Sequence, residues 1–217
     1  MARYGIIVKT DRCTGCMTCV VSCKQENLTW PTVWWIKIFE LEDSSFDHLI
    51  YLPHTCMHCD DPPCVPACPE QAIYKRPDGI VLIDHEKCKG HGECIKACPY
   101  GVIALNPDQD YFPGEGMPHE KMTHTYQTHL PHRASKCTLC VHRIEKGKEP
   151  ICVSGCPSRA LIFGDLDNPN SLIRKDLWKS VQLLQSKRTN SKISYIVLKN
   201  VMKKAEQRII ENPKMSD

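Results

Sequence analysis

The sequence predicts an α+β fold that is rich in loops, with short β-hairpins and short helices arranged around cysteine-rich runs. Three observations support this fold class. Fifteen cysteines fall into four tight groups of four, four, three and four. Short segments of strand-forming residues lie beside these groups. One apolar stripe with helical spacing stands near the C-terminus, which indicates a C-terminal helical extension.

The strands are predicted from runs of strand formers bounded by turn residues. They cover residues 4–8, 34–41, 80–83, 100–105 and 160–164. Thr18, Val20, Val21 and Ser22 are expected to start a helix that carries Cys23. Near the C-terminus, Ile173, Leu177, Val181 and Leu184 recur at helical spacing. This stripe is predicted to pack on its own domain, with docking to a partner as the alternative, and the end of the tail that begins at residue 191 is expected to be ordered only by a partner.

The four cysteine groups share a common spacing. In the first group the cysteines are separated by two, two and three residues. The second and fourth groups widen the middle spacing, and the third has His91 where a cysteine is expected. The runs are Cys13, Cys16, Cys19 and Cys23; Cys56, Cys59, Cys64 and Cys68; Cys88, Cys94 and Cys98; and Cys137, Cys140, Cys152 and Cys156.

This spacing points to iron–sulfur chemistry. An odd number of cysteines in tight groups argues against a disulfide framework. A spacing of two, two and three residues directs successive thiolates at one cluster, while the last thiolate reaches a second cluster. Two runs joined by a hairpin-like link form one ferredoxin-like unit. Taken alone, the pairs of the fourth run suit zinc nearly as well as iron, so a zinc-binding interaction module stays open as an alternative.

Charge and hydropathy restrict the possible partners. The formal charge is +3 with every cysteine counted as neutral. Fifteen thiolates and four oxidised cores of charge +2 would make it about −4, which removes the electrostatic argument for a nucleic-acid partner. Lys9, Asp11 and Arg12 interrupt the first apolar residues, and no run reaches the length of a membrane span. We therefore expect no transmembrane segment in the chain itself.

Several aromatic and histidine side chains lie near the runs. Trp30, Trp34 and Trp35 are predicted to pack in the core or at an interface rather than to relay electrons. His54 and His58 are predicted to hydrogen-bond to cluster sulfur or to backbone. The remaining histidines of the loop have spacings that fit no ligand hairpin, so a solvated loop is predicted around His119, His124, His129 and His132.

The four runs together resemble a known family. The resemblance rests on Lys136-Cys-Thr-Leu-Cys140, on His142-Arg-Ile-Glu-Lys-Gly147 and on the wide loop Cys59-Asp-Asp-Pro-Pro-Cys64, and it covers about residues 4–165. These features are similar to the four-cluster iron–sulfur subunits that accompany molybdopterin oxidoreductases of the dimethyl sulfoxide reductase family, including arsenate and polysulfide reductases. The stretch from Asp78 to Asp84 is also similar to the small subunit of pyrogallol hydroxytransferase.

The resemblance implies how the cysteines are shared. In that family the first and fourth runs share two clusters, and the second and third share the other two, by exchange of the final cysteine. It implies four ligand sets in a row. The first set is Cys13, Cys16, Cys19 and Cys156; the second is Cys137, Cys140, Cys152 and Cys23; the third is Cys56, Cys59, Cys64 and Cys98; the fourth is Cys88, Cys94 and Cys68, with His91.

His91 leaves two alternatives for the fourth set. If its nitrogen binds iron, the result is a [4Fe-4S] cluster of raised potential, because a neutral ligand replaces a thiolate. If it does not bind, a [3Fe-4S] cluster remains, as in relatives with a non-ligating residue at this position. Gly90 and Gly92 allow the loop to approach closely, and imidazole is a competent iron ligand, so ligation is favoured. The other three clusters are expected to be [4Fe-4S] with cysteine ligands alone.

The implied function is electron transfer, with no catalytic residue in this chain. The resemblance implies a molybdopterin catalytic subunit as one partner, and as the second a membrane anchor subunit that reacts with quinone, or another carrier. Residues 1–55 and 136–165 would form the first ferredoxin-like unit and 56–105 the second, with 106–135 a loop insertion and 166–217 an extension that contacts a partner subunit. We expect a location peripheral to the cytoplasmic membrane through partners, with the periplasmic face favoured over a cytoplasmic location. A free-standing polyferredoxin is a further alternative.

Overall fold

The computed structural model describes residues 2–43, 48–108 and 130–211. Its strands are β1 Tyr4–Lys9, β2 Ile36–Asp43, β3 His48–Thr55, β4 Ile73–Lys75, β5 Val81–Ile83, β6 Ala104–Leu105, β7 Ala134–Ser135, β8 Leu161–Asp165, β9 Val181–Gln182 and β10 Ile193–Ile196. Its α-helices are α1 Thr18–Asn27, α2 Glu93–Ala97, α3 Val141–Ile144, α4 Ile151–Ser154, α5 Arg174–Leu177 and α6 Lys199–Glu211. Short elements separated by ligand loops agree with the predicted α+β class.

One four-stranded sheet joins the two ends of the chain. Its strand order is β8-β1-β10-β9. β1 pairs antiparallel with β8 and parallel with β10. Ile6, Ile7 and Val8 of β1 are buried, as expected for a central strand with both faces covered. The sheet therefore brings the loop after β1 close to the loop before β8, which carry the first and the last cysteine runs.

Three two-stranded ladders complete the strand pairing of the described residues. β2 and β3 pair over their full length, from Ile36 opposite Thr55 to Asp43 opposite His48. β4 and β5 pair around a turn in which the Ile80 amide donates to Asp78 Oδ1 at 3.1 Å. β6 and β7 pair with each other, and residues 109–129, which stand between them in the sequence, lie outside the described residues. The β4–β5 hairpin connects the second and third runs.

The cysteines form part of the hydrophobic core. A large core combines the apolar faces of β1, β2 and β3 with six buried cysteines of three runs, namely Cys19, Cys23, Cys56, Cys59, Cys137 and Cys152. A smaller core contains Cys64, Cys88 and Cys94 with Ile73 and Ile103. Trp30 and Trp35 are buried, which confirms their prediction as packing residues, whereas Trp34 is 43% exposed. The Lys24 ammonium lies 4.1 Å from the centre of the Trp34 ring.

The C-terminal extension differs from its prediction. The stripe from Ile173 to Leu184 is not one helix, because α5 has four residues and the chain then enters β9, which pairs with β10. Tertiary strand pairing thus overrides the helical spacing of the sequence. The tail is also ordered by its own chain as far as Glu211, where the described residues end, since β10 lies beside β1 and α6 packs on β2. Arg208 Nη1 donates to the carbonyl of Glu40 at 2.9 Å.

Two further predictions are only partly met. The strand predicted over 100–105 is limited to Ala104–Leu105, because the preceding residues continue the cysteine loop. In the predicted loop insertion, His132 is described and pairs with Asp108 at 3.1 Å. His119, His124 and His129 lie outside the described residues. Among the helices described here, none is both long enough and apolar enough to cross a membrane.

Candidate iron–sulfur centres

The first set lines a single cavity. Cys13, Cys16 and Cys19 reach it from the loop before α1 and the start of that helix, and Cys156 reaches it from the end of α4. The loop is tight because Gly15 has a φ of 68° and packs on the ring of Tyr51, where a Cβ would overlap the aromatic carbons. The fold therefore brings together three cysteines of the first run and the last cysteine of the fourth.

The second set meets where α1 packs against α4. Burial raises the pKa of Cys23 well above its ordinary value, and nearby Cys137 and Cys140 raise it further. Burial likewise raises the pKa of Cys152, with added contributions from Cys137 and Cys23. Asn27 directs its side-chain amide at two of these sulfurs, 3.5 Å from Cys23 Sγ and 3.9 Å from Cys140 Sγ. The four thiols are thus mutual neighbours in a dry environment.

The third set also lines a single cavity. Cys56, Cys59 and Cys64 come from the second run and Cys98 from the third. Pro62 and Pro63 form part of the wall, so the wide middle spacing of the second run is used to shape the cavity. As in the first set, two runs contribute to one cavity.

In the fourth set, Cys68, Cys88 and Cys94 line one cavity. His91 and Glu70 line the same cavity. His91 Nε2 lies 2.9 Å from Glu70 Oε1, and both side chains are partly exposed, at 48% and 39%. Backbone amides donate to two of the sulfurs, from Ala134 to Cys88 Sγ at 3.4 Å and from Ala72 to Cys68 Sγ at 3.3 Å.

The protonation of the thiols shows that a group fitting these cavities must carry positive charge. All fifteen cysteines are free. Burial raises the pKa of several of them to about 12, namely Cys19, Cys59, Cys64 and Cys137. Such thiols stay protonated at neutral pH unless a cationic group replaces the protons. An iron–sulfur core bonded to four thiolates supplies that positive charge.

The arrangement differs from that of a single-ion site. Within residues 2–43, 48–108 and 130–211, no three His, Cys, Asp or Glu side chains converge in a way that suits one metal ion. Zinc would require its four ligands at about 2.0–2.3 Å from one point. Cysteines spread around the wall of a cavity instead suit a polynuclear core, whose irons take the thiolates separately.

Two histidine predictions are confirmed. His54 Nε2 bonds to the carbonyl of Tyr100 at 2.8 Å, and burial lowers its pKa to about 4. His58 Nδ1 accepts a hydrogen bond from the Val81 amide at 3.1 Å. Both imidazoles are buried and bond to backbone, as expected for structural residues beside ligand loops.

Sequence reasoning missed the polar residues that surround the sulfurs. Asn27, Glu70 and Lys136 stand outside the cysteine spacing, so no ligand pattern marks them. Asn27 lies four residues after Cys23 on α1, on the same face of the helix. Lys136 directly precedes Cys137 in a quoted motif, but only its burial shows that it is more than a surface residue.

Comparison with known proteins agrees with this geometry. A family model described as a 4Fe-4S dicluster domain matches residues 47–113 and 114–166, and a second model of the same description matches 12–72. A putative iron–sulfur subunit of the dimethyl sulfoxide reductase of Halobacterium salinarum is 36% identical, with 90% of this chain and 79% of that protein covered. The iron–sulfur subunit of the arsenate respiratory reductase of Shewanella sp. strain ANA-3 is 34% identical, with 89% and 96% covered.

A third relative is a subunit of the tetrathionate reductase of Salmonella typhimurium. It is 39% identical, with 79% of this chain and 61% of that protein covered. The residues matched by the two family models include all four cysteine runs. The chain therefore belongs to the family of iron–sulfur subunits with 4Fe-4S dicluster domains that serve dimethyl sulfoxide, tetrathionate and arsenate reductases.

Proposed function

We propose that this chain holds four iron–sulfur clusters and carries electrons between a molybdopterin catalytic subunit and a second electron carrier. The observation that supports this most strongly is the collection of fifteen free cysteines into four neighbouring groups, each built from two runs. Reversible one-electron exchange is the chemistry that the clusters supply when bound. The chain's own residues ligate, bury and polarise them.

The proposed ligands are the four sets described above. Each combines three cysteines, or two cysteines and His91, of one run with the closing cysteine of another. Because the closing cysteines are exchanged between runs, one short segment of chain carries ligands of two neighbouring sets. Cys19 and Cys23 both lie on α1, and Cys94 lies on α2, which ends directly before Cys98.

The sets succeed one another in a row. α1 connects the first to the second, because it carries Cys19 and Cys23. Between the second and third, burial raises the pKa of Cys137 to about 12 and Cys56 is the next contributor, which indicates that these thiols are close. The third and fourth are connected through α2 and Cys98. A row of closely spaced sets is the arrangement that electron transfer through the subunit requires.

We propose that His91 is the fourth ligand of the last cluster. Its Nε2 faces Glu70, so Nδ1 is the nitrogen left for iron. Metal-binding histidines commonly donate their second ring nitrogen to a carboxylate, which fixes the ring orientation and makes the ligand more basic. A [3Fe-4S] cluster held by the cysteines alone is the alternative.

The second partner and the location follow from family resemblance rather than from a contact in this chain. The first set would face the catalytic subunit, and the fourth would face a quinone-linked membrane anchor or another carrier. The complex would lie at the cytoplasmic membrane, on the periplasmic face. A free-standing polyferredoxin would carry the same clusters without an obligate partner.

Purification from the native source under strict anaerobiosis tests the proposal. We expect a brown protein with about four irons per cluster and acid-labile sulfide, eluting together with a large molybdenum-containing subunit. Colourless protein with stoichiometric zinc would refute iron–sulfur binding. Brown protein that elutes alone would instead support the polyferredoxin.

A separate measurement addresses His91. Protein labelled with ¹⁵N-histidine should show a nitrogen hyperfine coupling on the reduced fourth cluster in pulsed electron paramagnetic resonance. The coupling should be absent from His91→Cys, which restores an all-cysteine set and serves as the control. A full three-iron signal in the oxidised wild-type protein would contradict ligation.

A further inference from the structure

Lys136 places an ammonium group inside the molecule, between the second and third cysteine sets. The residue is only 2% exposed. Its Nζ donates to the carbonyl of Cys137, a member of the second set, at 3.0 Å, and also to the carbonyl of Val81. Val81 lines the cavity of the third set. One positive charge therefore lies against both sites.

This charge has no carboxylate partner among the residues that the structure describes. Its bonded neighbours are neutral carbonyl groups. His58, which is also buried, is an imidazole and can supply no negative charge. A buried ammonium without a counter-ion is costly, because a low-dielectric interior replaces its hydration only in part.

The cysteine sets are the negative groups within reach. Val81, whose carbonyl accepts a hydrogen bond from Lys136 Nζ, lines the same cavity as Cys56 and Cys64 of the third set. The charge of Lys136 thus lies beside the sulfurs of the third set. Four thiolates around an oxidised core of charge +2 leave a net charge of about −2, and reduction adds one more negative charge.

We propose that Lys136 is a positioning residue that tunes the second and third clusters, its fixed positive charge favouring the reduced form of both and so raising their potentials. This inference rests on the proposed four-cluster function. The two central members of the row then accept electrons more readily than they would in an uncharged cavity. The ammonium is in turn stabilised by the clusters, which serve as its counter-ions.

Redox titration of the complete anaerobic protein tests the proposal. Lys136→Met removes the charge at similar volume, and Lys136→Gln removes it but keeps a hydrogen-bond donor for Val81. In both variants the reduced-to-oxidised ratio of the second and third clusters at a fixed potential should fall at least tenfold. This corresponds to a shift of about −59 mV in the potential of a one-electron couple. For the first and fourth clusters, the same ratio should change by less than twofold.

Lys87→Met is the matched control. Lys87 directly precedes Cys88, as Lys136 precedes Cys137, but its side chain is 65% exposed and lies 3.5 Å from Asp84. Solvent screens such a charge, so the reduced-to-oxidised ratio of every cluster at a fixed potential should change by less than twofold. Equal shifts in Lys87→Met and Lys136→Met would overturn the proposal, as would unchanged potentials in both Lys136 variants.

Loss of clusters is also informative. If the uncharged variants lose iron, Lys136→Arg should retain it, because the charge is kept. Iron loss in all three variants would show that side-chain shape rather than charge matters, and would overturn the inference. Wild-type protein without iron and sulfide would instead refute the proposed function itself, so the two failures are distinguishable.

Discussion

Gly90→Ala should selectively weaken the fourth site. Gly90 has a φ of 77°, and a Cβ there would lie well within 3.0 Å of the backbone carbonyl oxygen of His132. The left-handed conformation costs a non-glycine residue about 1–2 kcal/mol. Overpacking against rigid backbone adds about 1–3 kcal/mol. Because Gly90 lies between Cys88 and His91, we expect this cost to open the loop that holds them.

Gly92→Ala separates the two contributions. Gly92 has the same φ of 77°, but its nearest neighbour would be Leu105 Cδ1 at 3.9 Å, an ordinary contact. Both variants therefore carry the backbone strain, and only Gly90→Ala carries the clash. The difference of about 1–3 kcal/mol corresponds to a roughly 5–150-fold difference in the equilibrium for opening the loop.

The assay is the anaerobic loss of iron to a chelator, followed through the visible absorbance and the resonance signal of the fourth cluster. Gly90→Ala should lose about one quarter of the iron first, while the other three clusters stay in place. Equal rates of loss in the two glycine variants would refute the reasoning, because the His132 carbonyl would then be no obstacle. Uniform loss from every cluster would show that the loop is not a local unit.

Three further predictions address the sulfur environment. Glu70→Gln should lower iron retention at the fourth site about 10–100-fold, because the pair of Glu70 with His91 orients a ligand. The free energy of unfolding should change by less than about 1 kcal/mol, because this pair is exposed. A global loss of stability with full iron retention would contradict this prediction. Asn27→Leu removes the amide that faces Cys23 and should make the potential of the second cluster more negative in a redox titration, with the other clusters unchanged. Burial raises the pKa of Cys19 to about 12, so each such thiol releases a proton when it binds iron. The retention of iron against a chelator, corrected for the chelator's own protonation, should therefore rise from about pH 7 to about pH 9 and not fall.

Local sequence was sufficient where geometry is set within a few residues. The strand at Tyr4–Lys9, the helix that begins at Thr18 and the strand at Leu161–Asp165 lie where the sequence predicts them, because strand formers and ligand spacing act locally. The backbone bonds of His54 and His58 were also predicted correctly. The strands and the helix depend on residues that are adjacent in the sequence, whereas the two histidines bond to backbone groups 46 and 23 residues away, at Tyr100 and Val81.

Long-range pairing explains the failures. The stripe from Ile173 to Leu184 has helical spacing, yet the chain forms β9 because β10 offers a partner strand. The end of the tail was expected to need a partner subunit, but Ile209 of α6 is fully buried in the core of its own chain, and Ile193 lies beside Ile6 of β1. Nothing within the last third of the sequence reveals that the N-terminal strand pairs with it. The same holds for Lys136, whose burial is set by contacts with a different hairpin.

The sheet that joins the chain ends also explains how the first two sets can form at all. Cys19 and Cys156 stand far apart in sequence, so closing the loop between them costs conformational entropy that grows slowly with length. β1 and β8 close that loop through five paired residues, from Tyr4 opposite Asp165 to Val8 opposite Leu161. The thiols of the first set are thus brought together by backbone pairing. The third and fourth sets need no such closure, since the short β4–β5 hairpin already connects their runs. The C-terminal strand β10 pairs with β1, so it supports the sheet on which the most non-local part of the assembly depends.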